Sequence, residues 1–215
     1  MFRPLFVVIA RVVSRDQALP KWRERLQGLC QVSKQEPYSH SYYWGYDLDG
    51  EPDTIWGLEG YHHPVGFFMN HVSSDTFKEE MRKVDQDNLL RHEQGLASPD
   101  YDLHHYDLFA GFAKRENDKG PDDEDSFVAV VHFWALDGRR KQILGTLADV
   151  VDRVKASSQR PLTLLQSFMV LKEPHRDCDR RRDAGKHQTP PWSRDYTSYA
   201  PAIAGTIGII CAVRQ

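Results

Sequence analysis

Residues 59–77 contain the residue types that a proton-transfer site needs. The segment reads EGYHHPVGFFMNHVSSDTF and includes Glu59, Tyr61 and His71. Histidine suits a general base near neutral pH because its unperturbed pKa is about 6.5. Two interpretations of His71 stay open at this point. It is either a general base or orienting donor at the mouth of a pocket between helix and sheet, or a structural histidine that packs in the core or ends a short helix, where the helix dipole favours its charged form.

Glu59 and Tyr61 belong to a predicted strand, and alternation places both side chains on one face of it. If this face looks toward the helices, Tyr61 can donate a hydrogen bond to a substrate carbonyl. Glu59 would then be a buried carboxylate that needs a partner. The alternative for Glu59 is a salt bridge with Arg11 or Arg23.

His132 interrupts a predicted strand of valines and alanines, and Trp134 shares its face. We consider His132 either as a second candidate base or as a hydrogen-bonded core histidine. The candidate catalytic residues are therefore His71, His132, Tyr61 and Glu59. The aromatic residues expected to line a substrate pocket are Trp56, Phe67, Phe68 and Trp134.

Neither a metal nor a cofactor is predicted. The adjacent pairs His62–His63 and His104–His105 each offer at most one ligand, because neighbouring strand residues point to opposite faces. The sequence contains no glycine-rich phosphate loop, no GxSxG and no CxxC.

The composition is that of an ordinary globular protein and sets few limits on function. The 215 residues are 40% hydrophobic and 27% charged, with a net charge of −3, which indicates neither nucleic acid nor a membrane as a partner. Aspartates interrupt the one basic cluster, residues 175–187, so a solvated loop is favoured over phosphate binding. Three dispersed cysteines are typical of a reducing compartment, and we expect a cytoplasmic protein.

The order of predicted elements up to residue 114 is β-α-β-β-α-β, a ferredoxin-like plait. The strand LFVVIARVV precedes a helix with an apolar stripe, and a hairpin turns at Asp49–Asp53. A short helix begins at Pro64 and ends at His71. A second helix has a predicted capping box, Thr76 with Glu79, and YDLHHYDLFAGFAKR closes the half as a strand.

The pattern begins again after a charged linker, residues 115–126. The half from 127 to 215 starts with the strand FVAVVHFWA and a helix with an apolar face. The strand PLTLLQSFMVLKE follows, then a polar loop at 174–194 and the closing strand TIGIICAVR. This imperfect repeat predicts an α+β protein in which two plaits pair their sheets within one chain.

Several of these motifs resemble the antibiotic biosynthesis monooxygenase family, whose members are dimeric α+β barrels. They are Glu59-Gly60-Tyr61 at a strand end, Asn70-His71 with Ser73 at a helix end, and Phe77 after them. Residues 127–138, FVAVVHFWALDG, resemble the opening strand of anthrone monooxygenases. The resemblance implies a fused form, an intramolecular pseudo-dimeric barrel.

Departures from the family pattern restrict what can be carried over. The axial histidine of the haem-degrading branch falls near Met81, and its strand asparagine falls near Ala10 and His132, so haem degradation is not expected. In the anthrone branch, the strand tryptophan, asparagine and helix tyrosine become Tyr61, Gly57 and Phe67. The two aromatic positions remain aromatic, whereas the asparagine, which is a polar donor, is replaced by Gly57.

The resemblance implies a cofactor-independent oxygenase that acts on an aromatic or polyketide-derived metabolite. The enzyme would form an enolate, which reacts with dioxygen directly. A cyclase, dehydratase or decarboxylase that uses the same pocket is the alternative, as is a ligand-binding barrel without turnover. Further association of the pseudo-dimer into a homodimer also stays open.

Overall fold

The computed structural model describes residues 5–48, 51–112, 127–157, 165–172 and 207–214. Seven strands, three α-helices and a π-helical turn make up these ranges. In the first half they are β1 (Phe6–Val13), α1 (Leu19–Ser33), β2 (Ser39–Tyr46), β3 (Thr54–Tyr61), the π-turn (Gly66–His71), α2 (Asp75–Gln86) and β4 (Tyr101–Phe112). In the second half they are β5 (Phe127–Trp134), α3 (Arg140–Ser157), β6 (Leu165–Lys172) and β7 (Ile207–Arg214).

The first half is a ferredoxin-like plait, as the sequence predicts. Its strands lie in the order β2-β3-β1-β4, and each neighbouring pair is antiparallel. The apolar stripe of α1 buries Trp22, Leu26 and Leu29 in one cluster with Val12 of β1 and Val84 of α2. The two helices therefore cover one face of the sheet.

The start of α2 differs from the predicted capping box. The cap is Ser74, whose hydroxyl accepts the backbone N–H of Phe77 at 3.1 Å. Thr76 lies inside the helix, and Glu79 pairs with Arg82 at 2.7 Å. Ser74 takes the role because its backbone is extended, which a residue that precedes a helix requires.

The second half follows the plait through β5, α3 and β6 and then departs from it. Helix α3 buries Leu144 and Val151. Strand β7 lies between β6 and β5 and runs parallel to both, whereas the strand at this place in a plait runs antiparallel. A parallel neighbour requires a crossover connection between the two strands. Residues 173–206, which include the predicted polar loop and the basic cluster, lie outside the described ranges, as does the linker 115–126.

The two halves share one sheet, which curls back on itself. Strand β4 pairs antiparallel with β6 and so joins the halves. Three strand spacings, about 14 Å in a flat sheet, separate β4 from β5, yet the rings of His104 and His132 lie 6.0 Å apart. Val130 also packs against Val7, Ile9 and Tyr106. The sheets of the two halves thus face each other within one chain, as in a barrel.

In the described ranges, no helix combines the length and apolar character needed to cross a membrane.

The π-turn approaches the sheet closely at Gly66. The backbone N–H of Val72 donates to the carbonyl of Phe67 at 3.1 Å, a bond across five residues that widens the turn. A Cβ built on Gly66 would lie 2.6 Å from Tyr38 Cβ and 3.0 Å from Tyr61 Cδ1. Only glycine permits this approach, which presses the turn against β3.

Replacement of Gly66 by alanine should destabilise the fold, because neither the π-turn nor the strands can retreat without disturbing the core. We expect a loss of about 1–3 kcal/mol in the free energy of unfolding, the usual cost of overpacking. The control is Gly145→Ala in α3, where a new Cβ meets open space. This change should stabilise the helix by up to about 1 kcal/mol. Urea denaturation of both variants measures the change in the free energy of unfolding. Equal changes in the two variants would contradict the close approach of the π-turn to β3.

Candidate functional site

The predicted site residues divide between the two faces of the first-half sheet. Val8 pairs with Glu59 on one side and His105 on the other, and this row faces the helices. The next residue, Ile9, pairs with Leu58 and His104, and that row faces the second half. The structure therefore brings His71, Glu59, Tyr61 and Phe67 together, and it places Trp56, His132 and Trp134 on the opposite face.

His71 is completely buried among aromatic rings. It ends the π-turn, which carries its imidazole inward to the helix-facing surface of the sheet. Its ring centroid lies 5.1 Å from that of Tyr42, 5.3 Å from that of Phe77 and 6.2 Å from that of Tyr61. Phe67 from the same turn is buried against Tyr61. An apolar enclosure of this kind excludes water from the ring.

One ring nitrogen of His71 lies within hydrogen-bonding distance of a carboxylate, and the other has no partner among the described residues. Nδ1 lies 3.0 Å from Oε2 and 3.2 Å from Oε1 of Glu36. Nε2 is buried and has no hydrogen-bond partner among the described residues. An imidazole nitrogen without a partner in an apolar site costs free energy, so Nε2 is the atom to which a bound molecule would contribute most.

His71 is neutral at neutral pH. Burial lowers its pKa, and the Glu36 carboxylate raises it by a smaller amount. The lowered pKa favours the neutral imidazole, whereas a helix dipole would favour the charged form. A neutral imidazole offers a lone pair on one nitrogen, which a proton acceptor must have.

Glu59 and Tyr61 form a second buried pair beside His71. The Tyr61 hydroxyl donates to Oε2 of Glu59 at 2.8 Å, and Glu59 is 5% exposed. Burial raises the pKa of Glu59 to about 7, against the opposing effect of the Tyr61 hydrogen bond. Burial and the Glu59 charge likewise raise the pKa of Tyr61, so the phenol stays protonated. The pair holds an exchangeable proton near neutral pH.

The predicted alternative for Glu59, a salt bridge with Arg11 or Arg23, is wrong. Glu59 faces the helices, whereas Arg11 pairs with Trp56 in the register of the opposite face. The guanidinium carbon of Arg11 lies 5.9 Å from the Trp56 ring centroid. Arg23 is exposed on α1. The partner of Glu59 is the phenol two residues along its own strand.

Glu36 and Tyr42 were not among the predicted site residues. Glu36 follows α1 and contacts His71 across 35 residues of chain, a contact that no local motif encodes. Tyr42 lies opposite Glu59 in the strand pairing, so the hairpin register would have placed it in the site. Burial also raises the pKa of Tyr42.

His132 belongs to a different group of side chains, between the two halves. Its ring lies 6.0 Å from His104, 6.4 Å from Tyr106 and 5.8 Å from Trp134. His104 Nε2 in turn pairs with Asp102 at 2.6 Å. Trp134 is 55% exposed. His104, whose ring contacts that of His132, lies on the face of the sheet turned away from His71.

The two remaining predicted pocket residues lie outside the His71 enclosure. Trp56 donates its indole N–H to Asp47 at 3.0 Å, on the face turned away from the helices. Phe68 is 45% exposed and packs at the rim of the π-turn, 5.3 Å from the His105 ring. Of the four aromatic residues predicted to line a pocket, Phe67 alone lies buried beside His71 and Tyr61.

Three or more histidine, cysteine, aspartate or glutamate side chains placed to hold one metal ion do not occur in the described part of the chain.

Glu59→Gln should remove a pH dependence of stability. An acid with a higher pKa in the folded state binds more protons when folded. The Glu59 contribution to the free energy of unfolding is therefore fully present below about pH 4.5 and is lost as the pH rises to about 7. The variant keeps an acceptor for Tyr61 and should be more stable than wild type at pH 8 by up to about 3 kcal/mol, the equivalent of this pKa shift.

Denaturation of wild type and variant at pH 4 and pH 8 measures this difference. Glu24→Gln, at an exposed position of α1, serves as the control and should keep the wild-type slope. An identical slope for Glu59→Gln and wild type would mean that Glu59 titrates normally.

Comparisons with known proteins extend over about half of the chain. No family model and no curated protein matches it. A Nitrosomonas europaea protein named "putative antibiotic biosynthesis monooxygenase" is similar in structure at 15% identity, over 50% of this chain and 92% of its own, with a TM-score of 0.41. A conserved protein from Methanosarcina mazei Go1 is similar at 17% identity, over 48% of this chain and 92% of its own, with a TM-score of 0.41. A structure named antibiotic biosynthesis monooxygenase is similar at 15% identity, over 46% of this chain and 94% of its own, with a TM-score of 0.38. These similarities concern the fold, and they include proteins named for the family that the sequence resembles.

Proposed function

We propose that this protein is a cofactor-independent oxygenase of an aromatic or polyketide-derived metabolite, with His71 as the general base. One observation carries the proposal. The Nε2 atom of His71 is buried without a partner in the described structure, while Nδ1 is held by a carboxylate. A general base needs a nitrogen with an available lone pair, and Nε2 has no competing partner among the described residues.

The reaction begins with removal of a proton from an acidic CH2 group that is conjugated with a carbonyl through an aromatic ring, as in anthrone. Nε2 of His71 takes the proton, and the electron pair of the broken C–H bond delocalises as an enolate. The enolate passes one electron to dioxygen, and the resulting radical pair joins to form a C–O bond. The peroxide then takes up the proton and loses water to leave a carbonyl. One CH2 group and one dioxygen give one C=O group and one water, so atoms and electrons balance.

Tyr61 and Glu59 supply the proton-donating part of the site. The pKa of Glu59, about 7, lets this carboxyl group hold a proton at neutral pH and release it during turnover. Tyr61 stays protonated and lies beside both Glu59 and His71. Because the Tyr61 hydroxyl donates to Glu59, the proton that Glu59 itself holds is the one available to a developing oxyanion, whose charge is poorly screened in a dry site. The aromatic rings around His71 suit a planar, electron-rich substrate.

His71→Ala should lower turnover by about a hundredfold or more, the usual contribution of a positioned base. The probe is anthrone, with dioxygen uptake and the incorporation of labelled oxygen as the two measurements. His92→Ala is the matched control, because His92 also pairs with a carboxylate, that of Asp100 at 2.6 Å, yet is 65% exposed. This control should keep the wild-type rate.

The parallel variant His132→Ala decides between the two faces of the sheet. Loss of turnover in this variant alone would place the working pocket between the halves and refute the role of His71. Product formed without uptake of dioxygen would indicate the cyclase, dehydratase or decarboxylase alternative, which begins from the same enolate. Binding of anthrone without any product would indicate a ligand-binding barrel.

The proposal also predicts that turnover survives removal of metals and flavins. Dialysis against EDTA should leave the rate of dioxygen uptake unchanged, because the enolate itself reduces dioxygen. A rate that is lost on dialysis and restored by added iron would contradict the proposed chemistry. Absorption spectra of the dialysed protein serve as the check that no flavin has been carried through.

A further inference from the structure

We propose that Glu36 is the positioning residue of this site, which holds His71 in the tautomer with its proton on Nδ1 and thereby leaves Nε2 as the proton acceptor. The proposal rests on the proposed role of His71 as a base. It assigns a function to a residue outside the segment that carries the other candidates. It also identifies which nitrogen faces the substrate.

The contact between Glu36 and His71 has the geometry of an orienting pair. Both carboxylate oxygens lie within 3.2 Å of Nδ1. The Glu36 side chain is 9% exposed and that of His71 is 1% exposed. An ionised carboxylate can only accept hydrogen bonds, so Nδ1 must donate. A neutral imidazole carries one proton, which leaves the lone pair on Nε2.

The turn between α1 and β2 fixes the position of this carboxylate. The backbone N–H of Glu36 donates to the carbonyl of Ser33 at 3.3 Å, and the N–H of Ser39 donates to the carbonyl of Glu36 at 3.2 Å. The hydroxyls of Ser33 and Ser39 also lie 2.8 Å apart. Glu36 is therefore held on both sides, and its side chain reaches His71 from a constrained backbone.

The pair stabilises the charge that forms when His71 acts as a base. Before the reaction the imidazole is neutral. When Nε2 takes a proton, an imidazolium forms in a buried site, which is costly without a counter-charge. The Glu36 carboxylate then becomes the partner of a full positive charge, and its attraction is stronger in this state than before. An interaction that strengthens toward the transition state raises the rate.

The ionisable groups that surround His71 decide how its pH dependence is interpreted. Glu36 approaches from the turn after α1, Tyr42 from β2, and the Glu59–Tyr61 pair from β3, whereas α2 contributes the apolar ring of Phe77. Both tyrosines stay protonated near neutral pH. Of these groups, Glu36 alone hydrogen-bonds to the imidazole.

The test is Glu36→Gln, which keeps the size of the side chain and removes its charge. Spectra of protein labelled with ¹⁵N-histidine report the tautomer directly and require no substrate. In wild type we expect the proton of His71 on Nδ1. In the variant, the amide can donate to Nδ1 as well as accept from it, so the proton should move in part or in full to Nε2.

The kinetic measurement uses the same variant with anthrone. We expect kcat to fall about tenfold or more with little change in KM, because an orienting group acts on the reaction rather than on binding. A base must be unprotonated, so the rate falls at acidic pH as His71 titrates. Loss of the Glu36 charge lowers the pKa of His71, so this acidic limb should move to lower pH. A merely structural role would not move it.

Three further variants keep the outcome clear. Asp47→Asn neutralises a carboxylate that accepts an indole N–H from Trp56 at 3.0 Å on the other face of the sheet, and it should leave tautomer, kcat and pH profile unchanged. Glu36→Asp keeps a carboxylate and should retain the Nδ1 proton in part, whereas Glu36→Leu replaces the glutamine variant if melting shows that variant to be unfolded. An unchanged tautomer in the variant without a carboxylate would overturn the proposal.

The two proposals fail in different ways. If Glu36→Gln shifts the tautomer but His71→Ala keeps full turnover, the pair is oriented as proposed and His71 is not the base, so the proposed function falls. If His71→Ala abolishes turnover while Glu36→Gln alters neither the tautomer nor the pH profile, the proposed function stands and the role of Glu36 falls.

Discussion

Strand β1 is buried on both of its faces, and the location of each candidate residue depends on this constraint. Phe6 through Ala10 are at most 3% exposed, because the helices cover one face and β5 packs over the other. Each residue of β3 or β4 that pairs with β1 therefore places its side chain on one of two covered faces, either toward the helices or toward the second half. Glu59 and Tyr61 fall on the helix side, and His104 and Tyr106 fall on the barrel side. A shift of one residue in the pairing would exchange the two sets.

Alternation was sufficient to predict part of the site from sequence. Glu59 and Tyr61 were placed on one face by counting alone, and the hydrogen bond between them agrees with that prediction. The helical spacing of Phe67, Phe68 and His71 was a poorer guide. The turn is a π-helix, whose wider repeat buries Phe67 and His71 and leaves Phe68 largely exposed. Nothing in the sequence around Gly66 indicated that this segment would form a π-helix rather than an α-helix.

Other features depend on tertiary contacts that no local pattern encodes. Glu36 reaches His71 only because α1 ends beside the π-turn, so the carboxylate had no recognisable motif. The direction of β7 is a similar case. Its apolar residues predict a buried strand, but they are compatible with either direction, and its parallel pairing with β5 and β6 could not be predicted from them. The apolar stripe of α1, in contrast, is a local property and was predicted from the sequence.

The concentration of ionisable groups around His71 is difficult to explain by folding alone. A leucine or a phenylalanine at position 71 or 59 would fill the same space without the cost of a buried polar group. Instead the fold tolerates an unpartnered Nε2 and a carboxyl group whose pKa is displaced to about 7 by burial. Shifted pKa values and unsatisfied polar atoms that occur together are typical of sites where stability has been given up for chemistry. The barrel-side group differs, because Trp134 beside His132 is largely exposed and His104 pairs with an exposed aspartate. The group around His71 is therefore the more completely buried of the two groups of ionisable side chains in the described structure.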